Sequence, residues 1–457
     1  MMTKMNNTIS LFEFEYLVNE KQGTQNAAEN IKVVSDVAFH YLKQLSLQMD
    51  EESRLLKPCR FNGLEVLQVQ NYAGVIFTPD NTQIEVLPKV GKQGGDSNKN
   101  KQEARSALLM MLKSLKGFRH IETQAASIAS QKMPLLEVFI TQFLETVNTL
   151  IKRGLRSDYV AREDNLAYLK GKLNIGKQVR HNFINKHKFY VEYDEFLQDR
   201  PANRLLHSAL VCINKYTRSA NNQKLLQELK FVFTDVPVSK DYKLDFTRMK
   251  LDRGMDYYKR PLNWAQLILE GFSPQSMKGK NHAPSLLFPM EAVFESYVAN
   301  ILRKQVANGY QLKEQVQSKS LVKHAEQHWF RLKPDLIIEK DNETKVVLDT
   351  KWKLLEQSKD NGTAKYGLSQ SDFYQMFAYG HKYLSGKGDM FLLYPQSEDF
   401  TQAIQSSFCF NPEAEEKLNL WIVPVDLSVG VKDEERIQWP DESPSLHLAY
   451  NKKCKAL

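Results

Sequence analysis

Cysteine is scarce in this chain: four residues in 457, at Cys59, Cys212, Cys409 and Cys454. None stands in a CxxC or CxxH pair, so no zinc site is signalled. Their scatter is that of reduced, structural thiols in a cytoplasmic protein. Long apolar runs are missing too. Nothing approaches the roughly 20 residues of a membrane span, and residues 1–10 lack the apolar stretch of a secretion signal, so no membrane partner is expected. The order G-x-x-x-x-G-K-[ST] is absent, which excludes a phosphate-loop nucleotide motor within the chain. There is no internal repeat. The net charge of +8 is a mild excess at this length, compatible with a polyanionic partner without demanding one.

What is present is ordinary globular material, 42% hydrophobic and 25% charged, long enough for two or three domains at roughly 150 residues each. Three regions are expected: a mixed α/β domain over 1–102, a largely helical one with some strands over 103–280, and a third over 281–457. The overall class is α/β, or α+β taken as a whole. In the first region, 11–18 alternates as a strand and 28–47 repeats apolar residues at helical spacing. Short β-prone runs follow at 64–69, 74–78 and 83–87. A small barrel or a curved sheet with one helix would satisfy them. The run 91–102, GKQGGDSNKNKQ, has no apolar residue and reads as a loop or linker. Helical spacing then dominates 103–155, strands and turns 159–195, and helices follow from after Pro201 through Ile213, over 223–233 and over 262–271. The polar stretch 273–283 marks the second boundary. Arg153, Arg156, Arg162 and Lys170 form a basic run of the kind usually found on solvated surface.

The stretch that carries chemistry is 331–353, RLKPDLIIEKDNETKVVLDTKWK. Two apolar β-prone runs flank Asp341-Asn342-Glu343, which predicts an antiparallel hairpin. A turn centred on Asn342 sets Asp335 opposite Asp349, with Cβ atoms about 4.5–5.5 Å apart. Lys351, two residues on, shares their face. Two carboxylates and an ammonium thus converge between Leu336, Ile337, Ile338 and Val346, Val347, Leu348, a setting in which charges need partners. A Mg²⁺ ion with waters and a substrate phosphate would satisfy the carboxylates and activate water. Lys351 would orient that water or stabilise the pentavalent state.

Two flanks add to this. An amphipathic helix over 290–306 carries Phe294, Tyr297, Val298, Ile301 and Leu302 as its stripe, with Glu291 and Glu295 near one edge. Downstream, Ser371 is placed to cap a helix in which Gln375 and Tyr379 share a face. Gln375 is expected to hydrogen-bond a metal water or the lysine, and Tyr379 to contact the DNA backbone. A strand over 389–394 completes a strand–helix–strand unit.

The order Phe294-Glu295, Pro334-Asp335, Asp349-Thr350-Lys351, Gln375–Tyr379 resembles the PD-(D/E)xK nucleases of the RecB-like branch. Together with Ile84-Glu85-Val86-Leu87-Pro88-Lys89, Tyr193-Asp194-Glu195-Phe196 and Asn203-Arg204, it resembles the McrC family of McrBC-type and LlaJI-type modification-dependent restriction systems over about residues 65–395. The resemblance implies a C-terminal restriction-endonuclease-like domain that hydrolyses double-stranded, methylcytosine-containing DNA with Mg²⁺. It implies metal ligands Asp335, Asp349 and Glu295, a catalytic Lys351, and accessory site residues Gln375 and Tyr379. It also implies docking on an McrB-like AAA+ GTPase hexamer, which binds the GTP and which this chain stimulates. A regulatory adaptor that does not cut, or a stand-alone RecB-like nuclease, would be the alternatives.

Overall fold

The computed structural model describes residues 8–22, 30–49, 54–80, 82–90, 97–115, 133–270 and 285–441. The chain forms two compact units. One joins Met1–Lys132 with Leu287–Leu457; the other is Met133–Leu286.

In the first unit, strands β1 (Thr8–Phe12) and β2 (Tyr16–Asn19) replace the single strand expected over 11–18. The chain turns between them at Phe14, whose φ is +66°. Strand β3 (Ile31–Val34) and helix α1 (Asp36–Leu47) divide the helix expected over 28–47. The β-branched Ile31, Val33 and Val34 pair beside β2. The Ser35 hydroxyl then accepts the Ala38 amide and starts the helix. Strands β4 (Leu56–Phe61), β5 (Leu64–Val69), β6 (Tyr72–Phe77) and β7 (Gln83–Leu87) complete this part. One sheet runs β3-β2-β5-β4 and a second begins β1-β7-β6. Helix α1 buries Phe39 and Leu42 in a core shared by both sheets. The loop expected over 91–102 is a helix from its seventh residue: α2 spans Ser97–Leu112, while 91–96 lie outside the described residues. The apolar face that holds α2 begins at Ala104, beyond the polar stretch, and Arg105 pairs with the buried Glu85 at 2.6 Å.

The second unit contains helix α3 (Leu135–Lys152), strands β8 (Asp158–Leu166) and β9 (Lys172–Leu173), helix α4 (Ile175–Asn182), strand β10 (Phe189–Leu197) and helices α5 (Pro201–Ile213), α6 (Ala220–Val232), α7 (Tyr242–Arg248) and α8 (Asp256–Leu269). The strands form one antiparallel sheet, β8-β10-β9. Pro201 opens α5, where its missing N–H costs nothing. Asn203 is wholly buried, donates to the carbonyls of Arg156 and Gln198, and accepts the Tyr258 hydroxyl. Arg204 pairs with Asp199 and Asp245. The Asn-Arg motif therefore anchors a helix start. The boundary expected over 273–283 lies outside the described residues.

Strand β11 (Ser285–Pro289) joins the β1-β7-β6 sheet, and helix α9 (Met290–Gln305) follows. Next come β12 (Tyr310–Glu314), the hairpin β13 (Ser320–His324) and β14 (Gln327–Arg331), strands β15 (Leu336–Lys340) and β16 (Glu343–Thr350), helix α10 (Gln370–Tyr383), and strands β17 (Gly388–Pro395), β18 (Phe408–Cys409) and β19 (Leu418–Val425). The main sheet runs β12-β15-β16-β17-β19-β18. Strands β16, β17 and β19 are parallel, and α10 makes the crossover from β16 to β17. The expected strand–helix–strand unit is therefore present. Leu336, Ile337, Ile338, Val346, Val347 and Leu348 are all fully buried, as a central pair covered on both faces requires. No helix among the described residues is long and apolar enough to cross a membrane.

Candidate active site

The β15–β16 hairpin turns through Asp341 and Asn342, both at positive φ (+52° and +62°). That is the two-residue geometry Asp and Asn favour. A bulge between Ile338 and Glu339 absorbs one residue, so Leu336 pairs with Leu348 and Ile337 with Val347. Beyond the bulge the register is the one a turn centred on Asn342 predicts, and its continuation sets Asp335 against Asp349.

Asp349 is 2% exposed. Its Oδ2 lies 2.7 Å from Lys351 Nζ as an ion pair. Burial, then the negative charge of Asp335, pushes its carboxyl well above the usual range, against the opposing pull of Lys351. Asp335 Oδ2 accepts the Thr350 amide at 2.8 Å and the Thr350 hydroxyl at 2.7 Å. Glu295, on α9, accepts Gln315 Nε2 at 2.8 Å. Burial, followed by the charge of Asp335, raises its carboxyl to about 7.

Lys351 leaves the C-terminal end of β16 with its amide bonded to the Leu393 carbonyl. Its ammonium donates to Gln375 Oε1 at 2.9 Å and lies 3.7 Å from Asp372 Oδ1. Burial works to lower its pKa, and the carboxylates of Asp349, Asp372 and Asp335 outweigh this, leaving it raised and the ammonium charged. Gln375 Nε2 in turn donates to the Tyr379 hydroxyl at 2.8 Å, which donates to the Lys333 carbonyl at 2.9 Å. Tyr379 is 3% exposed. Its hydroxyl ties α10 to the segment leading into Asp335, and it is not on the surface. Helix α10 is preceded by Ser369 at the cap position, with no side-chain cap bond. Ser371, expected there, is the second helical residue.

Four participants were not anticipated. Asp372 stands one turn before Gln375 and was within reach of the same face argument. Gln315 carried no such signal. Glu13 and Lys89 come from the far end of the chain. The Trp352 indole, one residue past Lys351, donates to Glu13, 3.0 Å from each carboxylate oxygen. Lys89 Nζ donates to the Trp352 carbonyl at 2.7 Å, and the Lys89 amide donates to Glu13 at 2.9 Å. Burial raises Glu13 to about 7 and lowers Lys89. The final lysine of the Ile84–Lys89 run thus clamps the backbone beside Lys351.

Among the described residues no three acidic, histidine or cysteine side chains are gathered closely enough to hold a metal unaided. The donor set nonetheless fits Mg²⁺, which takes one or two carboxylates and keeps several waters. Asp349 offers a buried oxygen paired with the Lys351 ammonium, and the charge of Asp335 adds to the burial that raises Glu295.

Residues 67–395 match the family described as McrBC 5-methylcytosine restriction system component. No curated relative matches the sequence. Among solved structures, the chain is similar to one from the half-complex of the tetradecameric assembly of Thermococcus gammatolerans McrB AAA+ hexamers with bound McrC. The TM-score is 0.68 at 19% identity, covering 94% of this chain and 98% of that one. A second match, from the cryo-EM structure of the Thermococcus gammatolerans McrBC complex, has a TM-score of 0.48 at 21% identity, over 65% and 87% of the two chains. The match spans well over half of the sequence, and the chain belongs to the McrBC 5-methylcytosine restriction system component family.

Proposed function

We propose that this chain is the DNA-cutting subunit of a GTP-dependent, methylcytosine-directed restriction complex. The observation that carries the reading is the convergence of Asp335, Asp349 and Lys351 at the end of a buried hairpin, with Glu295 beside them. Glu295 and Asp349, held above their ordinary pKa by burial and by the charge of Asp335, gain most from a divalent cation.

Asp349 and Asp335 would hold Mg²⁺, with Glu295 as a further ligand. When bound, the metal would supply Lewis-acid stabilisation of the phosphoryl oxygens and lower the pKa of a coordinated water. The chain's own residues do the positioning. Thr350 fixes the rotamer of Asp335 through two hydrogen bonds. Gln375 holds the Lys351 ammonium at one place, where it orients the attacking water or meets charge developing on phosphorus. The internal use of the Tyr379 hydroxyl supports a positioning role for that residue, through Gln375 and Lys333.

The partner in this reading is an McrB-like AAA+ GTPase hexamer, which supplies the nucleotide chemistry this sequence lacks. The second unit suits docking. It exposes Tyr159, Ile175, Phe183, Ile184 and Phe196, with the Tyr159 and Phe196 rings 5.1 Å apart, and exposed apolar clusters mark interaction sites.

The test is cleavage of methylated plasmid by the reconstituted complex with GTP and Mg²⁺. Lys351→Ala is expected to assemble and to stimulate GTP hydrolysis while failing to cut. Cutting by that variant at the wild-type rate would remove the site assignment, and cutting by the chain alone, without partner or GTP, would favour a stand-alone nuclease.

A further inference from the structure

The hairpin β13–β14 has no part in the chemistry at Asp335, Asp349 and Lys351. Every strand residue in it except the half-buried Ser320 is exposed, including Leu321, Val322, Trp329 and Phe330. A two-stranded hairpin without a covered face is marginal in water. This one also departs from relaxed geometry. Its tip is a two-residue turn of Ala325 and Glu326 at φ +43° and +67°, without the Asn or Gly such turns favour. Phe330 has φ +54° within a strand, and the Leu321–Phe330 pair is missing from an otherwise continuous register. Backbone strain of this kind in a bulky residue collects where function holds it.

Its contacts are internal at the tip and firm at the base. His324 packs edge-on to Trp329, Ser320 bonds His328, and Lys323 pairs with Glu326. At the base, the Tyr383 hydroxyl lies 3.0 Å from the Val316 carbonyl and 3.3 Å from that of Leu332, and Leu332 donates its amide to Lys319. Gln315, just before the arm, bonds the Asp335 carbonyl and the Glu295 carboxylate. The arm therefore grows from the metal-ligand candidates themselves. Four exposed cations, Lys319, Lys323, Arg331 and Lys333, accompany a single acid, Glu326, between Val316 and Asp335.

We propose that the hairpin Ser320–Arg331 and the residues flanking it form a DNA-contacting arm, in which Lys319, Lys323, Arg331 and Lys333 bind phosphates flanking the scissile bond and Trp329 and Phe330 pack against sugars or bases. This rests on the nuclease reading for its substrate. Charge decides between nucleic acid and a protein partner: the cores of protein interfaces are depleted in lysine, whereas cations interleaved with exposed aromatics suit a polyanion with π-faces. Five strand residues extend about 16 Å, or about five nucleotide steps of one DNA strand. Lys333 and Arg331 thus contact phosphates next to the cut, and Lys323 contacts them about half a helical turn away.

The test is binding of the full chain to a fluorescein-labelled 30-base-pair duplex, read by anisotropy without Mg²⁺ over a series of salt concentrations. The triple variant Lys319→Ala, Lys323→Ala, Arg331→Ala is expected to raise Kd at least tenfold at 100 mM salt. It should flatten the log Kd against log salt slope by about 2–3, roughly one unit for each phosphate left without its cation. Trp329→Ala with Phe330→Ala is expected to raise Kd about fivefold or more at unchanged slope. Lys319→Arg with Lys323→Arg should bind as wild type, which separates charge from misfolding. Wild-type Kd and slope in both loss variants would overturn the proposal. So would a photo-crosslinker replacing Phe330 that labels the AAA+ partner and leaves the DNA unlabelled in the assembled complex. Asp349→Ala, assayed for cleavage in parallel, keeps the two readings apart: the arm fails alone if that variant is inactive while the arm variants bind normally, and the site assignment fails alone in the reverse case.

Discussion

At the scale of single residues, the site is a set of charges held in place by neutral groups. Lys351 is flanked by Asp349 and Asp372, and Gln375 decides where between them its ammonium rests. Gln375→Ala is therefore expected to lower the cleavage rate about 10- to 100-fold, the usual cost of losing an outer-shell partner, with GTP hydrolysis by the complex unchanged. Glu13 makes a different prediction. Its carboxyl titrates at about 7 in the folded chain against an ordinary 4.5, so between those values the folded state holds a proton that the unfolded chain has released. Its contribution favours folding at low pH and is lost as the pH rises to 7, on the order of 3 kcal/mol across the window. Glu13→Gln should flatten the fall in stability between pH 4.5 and 7, as followed by denaturant unfolding at stepped pH. An unchanged slope would mean that Glu13 is not the group that titrates. Asp335, Asp349 and Lys351 were legible in the sequence because a hairpin's alternation is local. Glu13 and Trp352, 339 positions apart, could not be paired from any local pattern.

At the scale of elements, what matters is how closely α10 lies on the sheet. A Cβ on Gly380 would stand 2.6 Å from Leu418 Cδ2 and 2.8 Å from Met390 Sδ, so the absent side chain lets the helix carrying Gln375 and Tyr379 sit against β17 and β19. Gly380→Ala should cost about 1–3 kcal/mol of stability through overpacking, despite the gain in helix propensity. Thermal unfolding measures it, and a stabilised variant would show that the helix has room. This helix, the hairpin and α9 were all legible from their periodicity. The divided strand at Phe14 and the onset of α2 at Ser97 were not. In the first case a single left-handed residue breaks an alternating pattern without changing its composition. In the second, tertiary contacts by Ala104 and Arg105 recruit a polar stretch into a helix.

At the scale of the whole molecule, the first and last parts of the chain share one compact unit, while the stretch between them forms its own. A linear reading with breaks near 102 and 280 sees three successive segments. It has no means of knowing that strand β11 joins the same sheet as β6, since sheet partners distant in sequence leave no periodic trace. The clamp of Lys89 and Glu13 on Trp352 gives that unit a direct connection from the Ile84–Lys89 run to the backbone beside Lys351. Two activities should then be separable: cutting by the Asp335–Asp349–Lys351 site, and nucleotide hydrolysis by a partner. The most direct measurement is a single reaction containing Asp349→Ala, the AAA+ partner, GTP, Mg²⁺ and methylated DNA, in which phosphate release and strand breaks are counted together. Phosphate release at the wild-type rate with no strand breaks is the predicted result; strand breaks at the wild-type rate would contradict it.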